Sequence, residues 1–346
     1  MFILHPETSK VEFYRFLNDL RCMTATFSNE DAEINRLANV LMESGIALLN
    51  GGAPETLREA VRIFDEAIEL RGRLPVAQVP GFRYGLAAGW INRGDALARL
   101  GGPENLADAV RSYTTAIDLL KERPAGDDGT FITRLGIAWL NRGIALEMQN
   151  IEPAAAEAVL SYRNAMDAAE QALPLLAESE SKIPAAAEAG LKARHVLCQA
   201  ITGILRGTAP DIAIEPDLID KITDTVEGAL GLTQTWENAG DPSFRPMATG
   251  FFHLGALVYE RHQPHFLAEY FLEHLDPYCM EWPTPVSQTW LAIAQESLSR
   301  ARQELRISDF ASLATPEGTR RVEILNEMQA AETRIQTLRN HVSHNS

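Results

Sequence analysis

His265, Glu269 and Glu273 are four residues apart along the chain, which places all three on one face if the stretch is helical. A His/Glu pair at that spacing can ligate a divalent metal, and His262 and His274 lie close by in sequence. Pro264 separates His262 from that face, however. Neither an HExxH pattern nor a second carboxylate–histidine helix accompanies the group. A solvated helix face is the plainer account, with a helical metal-dependent enzyme built on the His262–His274 region as the weaker alternative. No glycine-rich phosphate loop, GxSxG elbow or Cys/His nucleophile arrangement is present. The expectation is a non-enzyme with no cofactor and no metal.

A second set of polar residues recurs. Trp90-Ile91-Asn92-Arg93-Gly94 and Trp139-Leu140-Asn141-Arg142-Gly143 stand 49 residues apart (139 − 90). Asn92 and Asn141 each offer a donor and an acceptor, the pair needed to hold the backbone of an extended peptide. The plainer alternative has them capping local backbone or facing water. Arg93 and Arg142 are expected to form inter-unit ion pairs with an acid of the neighbouring helix, such as Asp108 or Glu157. Capture of a chain-terminal carboxylate is less favoured, because the stretch around Asn92 and Asn141 holds no lysine.

The elements that position these residues follow from the repeat. Gly45-Ile46-Ala47-Leu48, Gly94-Asp95-Ala96-Leu97 and Gly143-Ile144-Ala145-Leu146 keep the 49-residue period (94 − 45, 143 − 94). So do Ala60-Val61, Phe64 and Ala67-Ile68, which return as Ala109-Val110, Tyr113 and Ala116-Ile117, then as Ala158-Val159, Tyr162 and Ala165-Met166. Each set has helical spacing. Small residues on one helix admit a close neighbour, and the aromatic on the next fills the space. Trp90 and Trp139 are expected between the two helices and against the following unit. A helical glycine costs about 1 kcal/mol relative to alanine, so three at one repeat position imply compensating packing. Gly51-Gly52-Ala53-Pro54-Glu55 and Gly101-Gly102-Pro103-Glu104-Asn105 end one helix and start the next.

The pattern Trp-x-x-x-Gly followed by Ala-x-x-x-Phe/Tyr-x-x-Ala resembles the tetratricopeptide repeat over residues 30–170. The usual unit is about 34 residues long; here the loop and a longer first helix, beginning near Phe82 and Phe131, add length. The resemblance implies an all-α, right-handed α-solenoid of about five helix–turn–helix units with helical caps at both ends. The expected divisions are a capping helix in 1–28, three units in 29–170, two degenerate units in 171–280 and capping helices in 281–346. The first cap would be an amphipathic helix from Ser9 to about Thr26, carrying Phe13, Phe16, Leu17, Leu20 and Met23 on one stripe. In the fourth unit Leu191-Lys192-Ala193-Arg194-His195 replaces the signature. The fifth restores it with Phe251, Leu254-Gly255 and Val258, then Ala268, Leu272 and Leu275, and Pro264 would open its second helix. A break is expected over Pro277–Pro285. A helix over Val286–Arg306 with Trp290, Ile293 and Leu298 inside follows, and then a long charged one from Pro316 to about Val342.

The resemblance also implies a concave groove lined by first-helix side chains, which binds a protein or an extended peptide. The candidates in this sequence are Glu43 in unit one, Asn92, Asp95 and Arg99 in unit two, Asn141, Ile144 and Met148 in unit three, and His253 in unit five. Glu43 and His253 stand where the asparagine would be, so an asparagine ladder is interrupted. A scaffold or adaptor is the leading reading. A regulatory subunit of a separate enzyme is the alternative, since Gly101-Gly102-Pro103-Glu104-Asn105-Leu106 loosely resembles repeats found beside bacterial caspase-like peptidase domains.

Charge and composition narrow the partners. The net charge is −16, from 31 Lys+Arg and 47 Asp+Glu, which repels phosphate backbones and anionic lipid. Basic or neutral protein partners fit better, and neither nucleic acid nor membrane is expected. Three cysteines (Cys22, Cys198, Cys279) form no CxxC pair, which points to neither a disulfide framework nor a thiolate zinc site. Met1-Phe2-Ile3-Leu4-His5-Pro6 has no basic region leading into an apolar core, and no run of about 18 apolar residues occurs. Cytoplasm is the expected compartment.

Overall fold

A computed structural model describes residues 30–122, 124, 129–207, 216–263, 266–307 and 316–344. The stretch Ser9–Thr26, Pro264 and His265 lie outside them. Among the described residues every regular element is helical. The first six are α1 (Glu30–Gly51), α2 (Pro54–Gly72), α3 (Pro80–Leu100), α4 (Pro103–Leu120), α5 (Thr130–Gln149) and α6 (Glu152–Leu176). Then come α7 (Pro184–Gly207), α8 (Pro216–Asn238), a 3₁₀ turn Pro242–Phe244, α9 (Arg245–His262), α10 (Leu267–Glu281), α11 (Thr284–Ile307) and α12 (Pro316–His344). They fall in two compact units. One lies within Met1–Leu175 and Thr202–Ala209, the other within Leu176–Ile201 and Pro210–Ser346.

From α1 to α5 each helix packs on the next, α6 meets α5 where Tyr162 lies against Gly143, and α3 also touches α1 and α5. This is the stacking of helical hairpins in an α-solenoid, with α1, α3 and α5 as first helices side by side. The 49-residue period explains the packing. A side-chain β-carbon at Gly94 would lie 2.6 Å from the Tyr113 ring, and one at Gly143 would lie 2.6 Å from the ring of Tyr162. Gly45 meets Phe64 in the same way. The three rings are buried, as are Ala60, Ala109 and Ala158 and Ala67, Ala116 and Ala165 around them. Trp90 and Trp139 are half-buried against a shared core drawn from α3, α4 and α5. Turn chemistry repeats too: Gly52 (φ +71°), Gly101 (φ +67°) and Asn150 (φ +52°) stand 49 apart just past the three first helices. Glycine and asparagine are the residues that tolerate that region.

The recurring arginines clasp neighbouring helices. Arg142 donates to Glu157 (2.8 Å), Ser161 (2.7 Å) and Thr114 (3.2 Å). Arg93 differs from the expected pairing with Asp108. It donates to Asp65 on α2 (2.6 Å) and Ser112 on α4 (2.8 Å), while Asp108 pairs with Arg111 one turn on. Asp65 and Thr114 occupy one repeat position (114 − 65 = 49), so both arginines bridge the second helix of the preceding unit to that of their own. Each guanidinium also lies over its own tryptophan, 5.7 Å for Arg93 on Trp90 and 5.8 Å for Arg142 on Trp139.

The second unit has a different interior. Phe252 of α9 stacks on Trp290 of α11 with centroids 3.9 Å apart, and on Tyr270 of α10 at 5.5 Å. Gly255 meets the Tyr270 hydroxyl, which donates to the Phe252 carbonyl at 3.0 Å. Phe251, Val258, Ala268, Leu275, Trp290 and Leu298 are buried, and Leu254 and Ile293 are half-buried. Leu272 departs from its expected core position and is exposed. Each helical residue turns about 100°, and with Tyr270 and Phe271 facing inward Leu272 faces out. The expected break over Pro277–Pro285 is present but narrower than those bounds. Helix α10 runs to Glu281, and the interruption falls at Trp282–Pro283. A helical proline costs about 3 kcal/mol, and burial of Phe271, His274 and Leu275 just before it offsets that. Arg194, in the weakened fourth signature, forms a paired salt bridge with Glu180 at 2.7 and 2.8 Å, and His195 is edge-on to Phe251.

Candidate functional site

The 49-residue period gives α1, α3 and α5 equivalent outward faces. On α1 the face holds Asn39, Glu43, Ile46 and Asn50, all exposed. On α3 it holds Asn92, Asp95 and Arg99, and on α5 Asn141, Ile144 and Met148, exposed or half-buried. Successive members are three or four residues apart and therefore share one side of each helix. The other sides of these helices hold the core residues of the unit.

Three large apolar side chains stand in solvent on this face: Ile46 (40% exposed), Ile144 (37%) and Met148 (49%). Ile46, Asp95 and Ile144 share one repeat position, so a carboxylate sits between two aliphatic residues. That carboxylate is held from two directions. The Tyr113 hydroxyl, reaching past the bare Gly94, donates to Asp95 Oδ1 at 2.7 Å, and Asn141 Nδ2 donates to the same oxygen at 2.9 Å. Burial raises the Asp95 pKa, against the downward pull of the Tyr113 hydroxyl, Arg99 and Asn141. Burial and the adjacent Asp95 likewise hold the Tyr113 phenol well above its usual range. Arg99 donates to the Leu49 carbonyl at 3.1 Å.

Asn141 is therefore committed to the neighbouring unit through one of its N–H groups. Asn92 has no equivalent partner: the acceptor would stand 49 residues before Asp95, and Ile46 is there. Unit three repeats the tyrosine device with a different acid. The Tyr162 hydroxyl donates to Glu147 at 2.5 Å, and Arg206 of α7 donates to both oxygens of that carboxylate at 3.1 Å. Burial acts to raise the Glu147 pKa, but the Tyr162 hydroxyl and Arg206 outweigh it and the value is lowered.

The sequence contains a signal for this network that its motifs alone do not expose. A tyrosine facing a glycine must send its hydroxyl somewhere, and Asp95 at Gly94+1 and Glu147 at Gly143+4 are the acids within one turn. His253, the remaining candidate, is exposed on α9 of the second unit. Of the histidine group, His274 is buried and pairs with Glu227 of α8 at 2.9 Å. Among the described residues no cluster of metal-ligating side chains occurs, and no described helix is long and apolar enough to cross a membrane.

Because folding raises the Asp95 pKa, the folded chain holds its proton at pH values where the unfolded chain has lost it. This residue's contribution to stability is therefore present below the ordinary value of 3.8 and is lost as pH rises through the folded value. Asp95→Asn keeps an acceptor for Tyr113 and Asn141 without the charge. The expected result is that the variant's urea midpoint gains on that of the wild-type chain as pH rises above 3.8. Superimposable pH profiles would contradict it.

No family model matches the chain, and no curated protein matches it. Solved structures similar to it include the hypoxic regulator of sterol synthesis Nro1, a nuclear import adaptor, at 12% identity and TM-score 0.28, covering 90% of this chain and 99% of that one. A de novo designed helical repeat protein shares 15% identity at TM-score 0.16, covering 90% of this chain and 99% of its own. A third is a chain from the computational design of self-assembling cyclic homooligomers, with 11% identity, TM-score 0.19 and coverage of 89% and 97%. The helical-repeat fold of this chain rests on its own packing.

Proposed function

We propose that the protein is a non-catalytic scaffold or adaptor of the tetratricopeptide kind, which binds a protein or an extended peptide along the outward face of α1, α3 and α5. The observation that supports this most directly is Ile46, Ile144 and Met148 standing in solvent around a fixed polar centre on one side of three stacked helices. Surface apolar residues scattered singly are ordinary, but these recur at one repeat position and one turn beyond it. Exposed apolar side chains supply contact area, while Asp95 and the remaining polar atoms of Asn92 and Asn141 offer partners to a peptide backbone.

Asn141 is a poor probe of this reading because its substitution also breaks an inter-unit bond. Ile144 and Met148 are better ones, being exposed. The test is the Ile144→Glu/Met148→Glu double variant in affinity capture beside the wild-type chain. Loss of the captured partner with an unchanged denaturation midpoint supports the reading, and undiminished capture overturns it.

A further inference from the structure

The Asp95 carboxylate at the centre of this face is only half used by the protein itself. Its Oδ1 accepts from the Tyr113 hydroxyl at 2.7 Å and from Asn141 Nδ2 at 2.9 Å. Its Oδ2 has no hydrogen-bond partner among the described residues and still reaches solvent. The two donors come from α4 and α5, so the group is clamped and the free oxygen is presented at one fixed point. Burial raises the pKa of the group against the pull of Tyr113, Arg99 and Asn141, the sign of a carboxylate short of counter-charge. On the helices to either side, Ile46 and Ile144 occupy the same repeat position and are 40% and 37% exposed.

The local charge is negative. Glu147 is balanced by Arg206 at 3.1 Å. Glu43, one turn before Ile46, is exposed and pairs with no cation among the described residues. Asp95 has no ion pair among them either: Arg99, one turn on, donates to the Leu49 carbonyl at 3.1 Å. Glu43 and Asp95 therefore stand against Arg99 alone. Arg36 and Arg134 lie ten residues nearer the helix starts (46 − 36, 144 − 134), roughly 15 Å along the axis. That exceeds the screening length of about 8 Å at physiological salt. A partner's cation would complete the unpaired oxygen, in keeping with the chain's net charge of −16.

We propose that Asp95 Oδ2 receives a lysine or arginine side chain of a peptide segment crossing α1, α3 and α5, whose apolar residues three positions to either side rest on Ile46 and Ile144. The spacing selects the conformation of that segment. Packed helices stand about 10 Å apart. A polyproline II chain has three residues per turn and rises about 3.1 Å per residue, so every third side chain points the same way about 9 Å further on. A β-strand repeats its facing every two residues, about 7 Å, and misses the next helix. The matching pattern is apolar-x-x-cation-x-x-apolar. The methylene stem of the cationic residue covers apolar surface while its head reaches the carboxylate. Polyproline II carbonyls make no internal hydrogen bonds, so they are open to Asn92 Nδ2. This assignment rests on the reading of the face as a protein-binding surface and names its partner's chemistry.

The probe is a fluorescein-labelled Leu-Pro-Pro-Lys-Pro-Pro-Leu amide titrated into the full chain at pH 7 and 0.15 M salt. The comparisons carry norleucine or glutamate in place of the lysine, or the same residues reordered as Lys-Leu-Leu-Pro-Pro-Pro-Pro. The expected result is saturable one-to-one binding of the lysine peptide, about tenfold tighter than the norleucine form, as one charge-assisted hydrogen bond provides. The glutamate and reordered forms bind more weakly than the lysine peptide. Asp95→Asn keeps an acceptor for Tyr113 and Asn141 but turns an amide toward the ligand. It is expected to bind the lysine and norleucine peptides equally, with a denaturation midpoint no lower than that of wild type. Absence of saturable binding, no preference of wild type for lysine over norleucine or over the reordered peptide, or a lysine preference that survives in Asp95→Asn overturns the proposal. If the lysine preference fails while Ile144→Glu/Met148→Glu still abolishes partner capture, the cation assignment falls and the face remains. If that double variant captures its partner undiminished, the face reading itself falls.

Discussion

Gly94→Ala destabilises the first unit by about 2 kcal/mol, although alanine is the better helix former. The two effects have opposite signs. Helix propensity favours alanine by about 1 kcal/mol. Against it, the new methyl group would lie 2.6 Å from the Tyr113 ring and 2.8 Å from its Cζ, and overpacking of a core costs about 1–3 kcal/mol or more. The upper end applies because Tyr113 cannot swing aside: it is 2% exposed, and its hydroxyl is tied to Asp95 at 2.7 Å. Gly94→Val, with two further carbons and almost no propensity gain, is expected to cost more than about 3 kcal/mol. A double-mutant cycle isolates the contact. Tyr113→Ala alone costs about 3–5 kcal/mol, but in the Gly94→Ala background it also relieves the clash, so the two losses sum to more than the double variant shows. Urea midpoints of the four chains measure this. A Gly94→Ala chain as stable as wild type would mean that the glycine is not there for the ring.

The second unit has its own keystone in Trp290, and Trp290→Ala is expected to cost about 3–5 kcal/mol. The indole is wholly buried, stacks on Phe252 at 3.9 Å and lies edge-on to Trp282 at 5.1 Å. Its Nε1–H donates to the Thr249 hydroxyl at 3.0 Å. Truncation therefore opens a large cavity and removes that hydroxyl's donor. Trp290→Phe keeps an aromatic face for Phe252 and should recover part of the loss. Amide hydrogen exchange locates the effect. Helices α9 and α11 should lose protection most, because the indole joins them directly. Unchanged protection there would show that the aromatic stack is not what holds this unit.

What the sequence reveals and what it conceals follow one physical division. Gly45, Gly94 and Gly143 facing Phe64, Tyr113 and Tyr162 are legible because the same close approach is written three times at one spacing. The Arg142–Glu157 pair is legible for a similar reason, since both partners lie within one helical hairpin. Arg93 reaching Asp65 is not, because that acid belongs to the preceding unit and its next repeat equivalent is an uncharged threonine. The same holds for Asn141 and Asp95, 46 residues apart (141 − 95). Their bond depends on how far one first helix is rotated against the next. In the second unit no repeat disciplines the register. Leu272 then reads as a core leucine until the aromatic pair Tyr270 and Phe271 is seen to claim the interior. Arg36, Gly85 and Arg134 share one repeat position (85 − 36 = 49, 134 − 85 = 49), and Arg71 of α2 donates to the Gly85 carbonyl. The period shows the first fact, yet nothing in one dimension shows the second.

Binding along the face formed by α1, α3 and α5 is read from the affinity of the captured partner for the Ile144→Glu/Met148→Glu chain. With the partner purified and titrated against wild type and variant at equal salt, a loss of two buried apolar contacts predicts affinity reduced by at least about tenfold, with the variant's denaturation midpoint unchanged. Equal affinity for the two chains would place the binding surface away from the first helices.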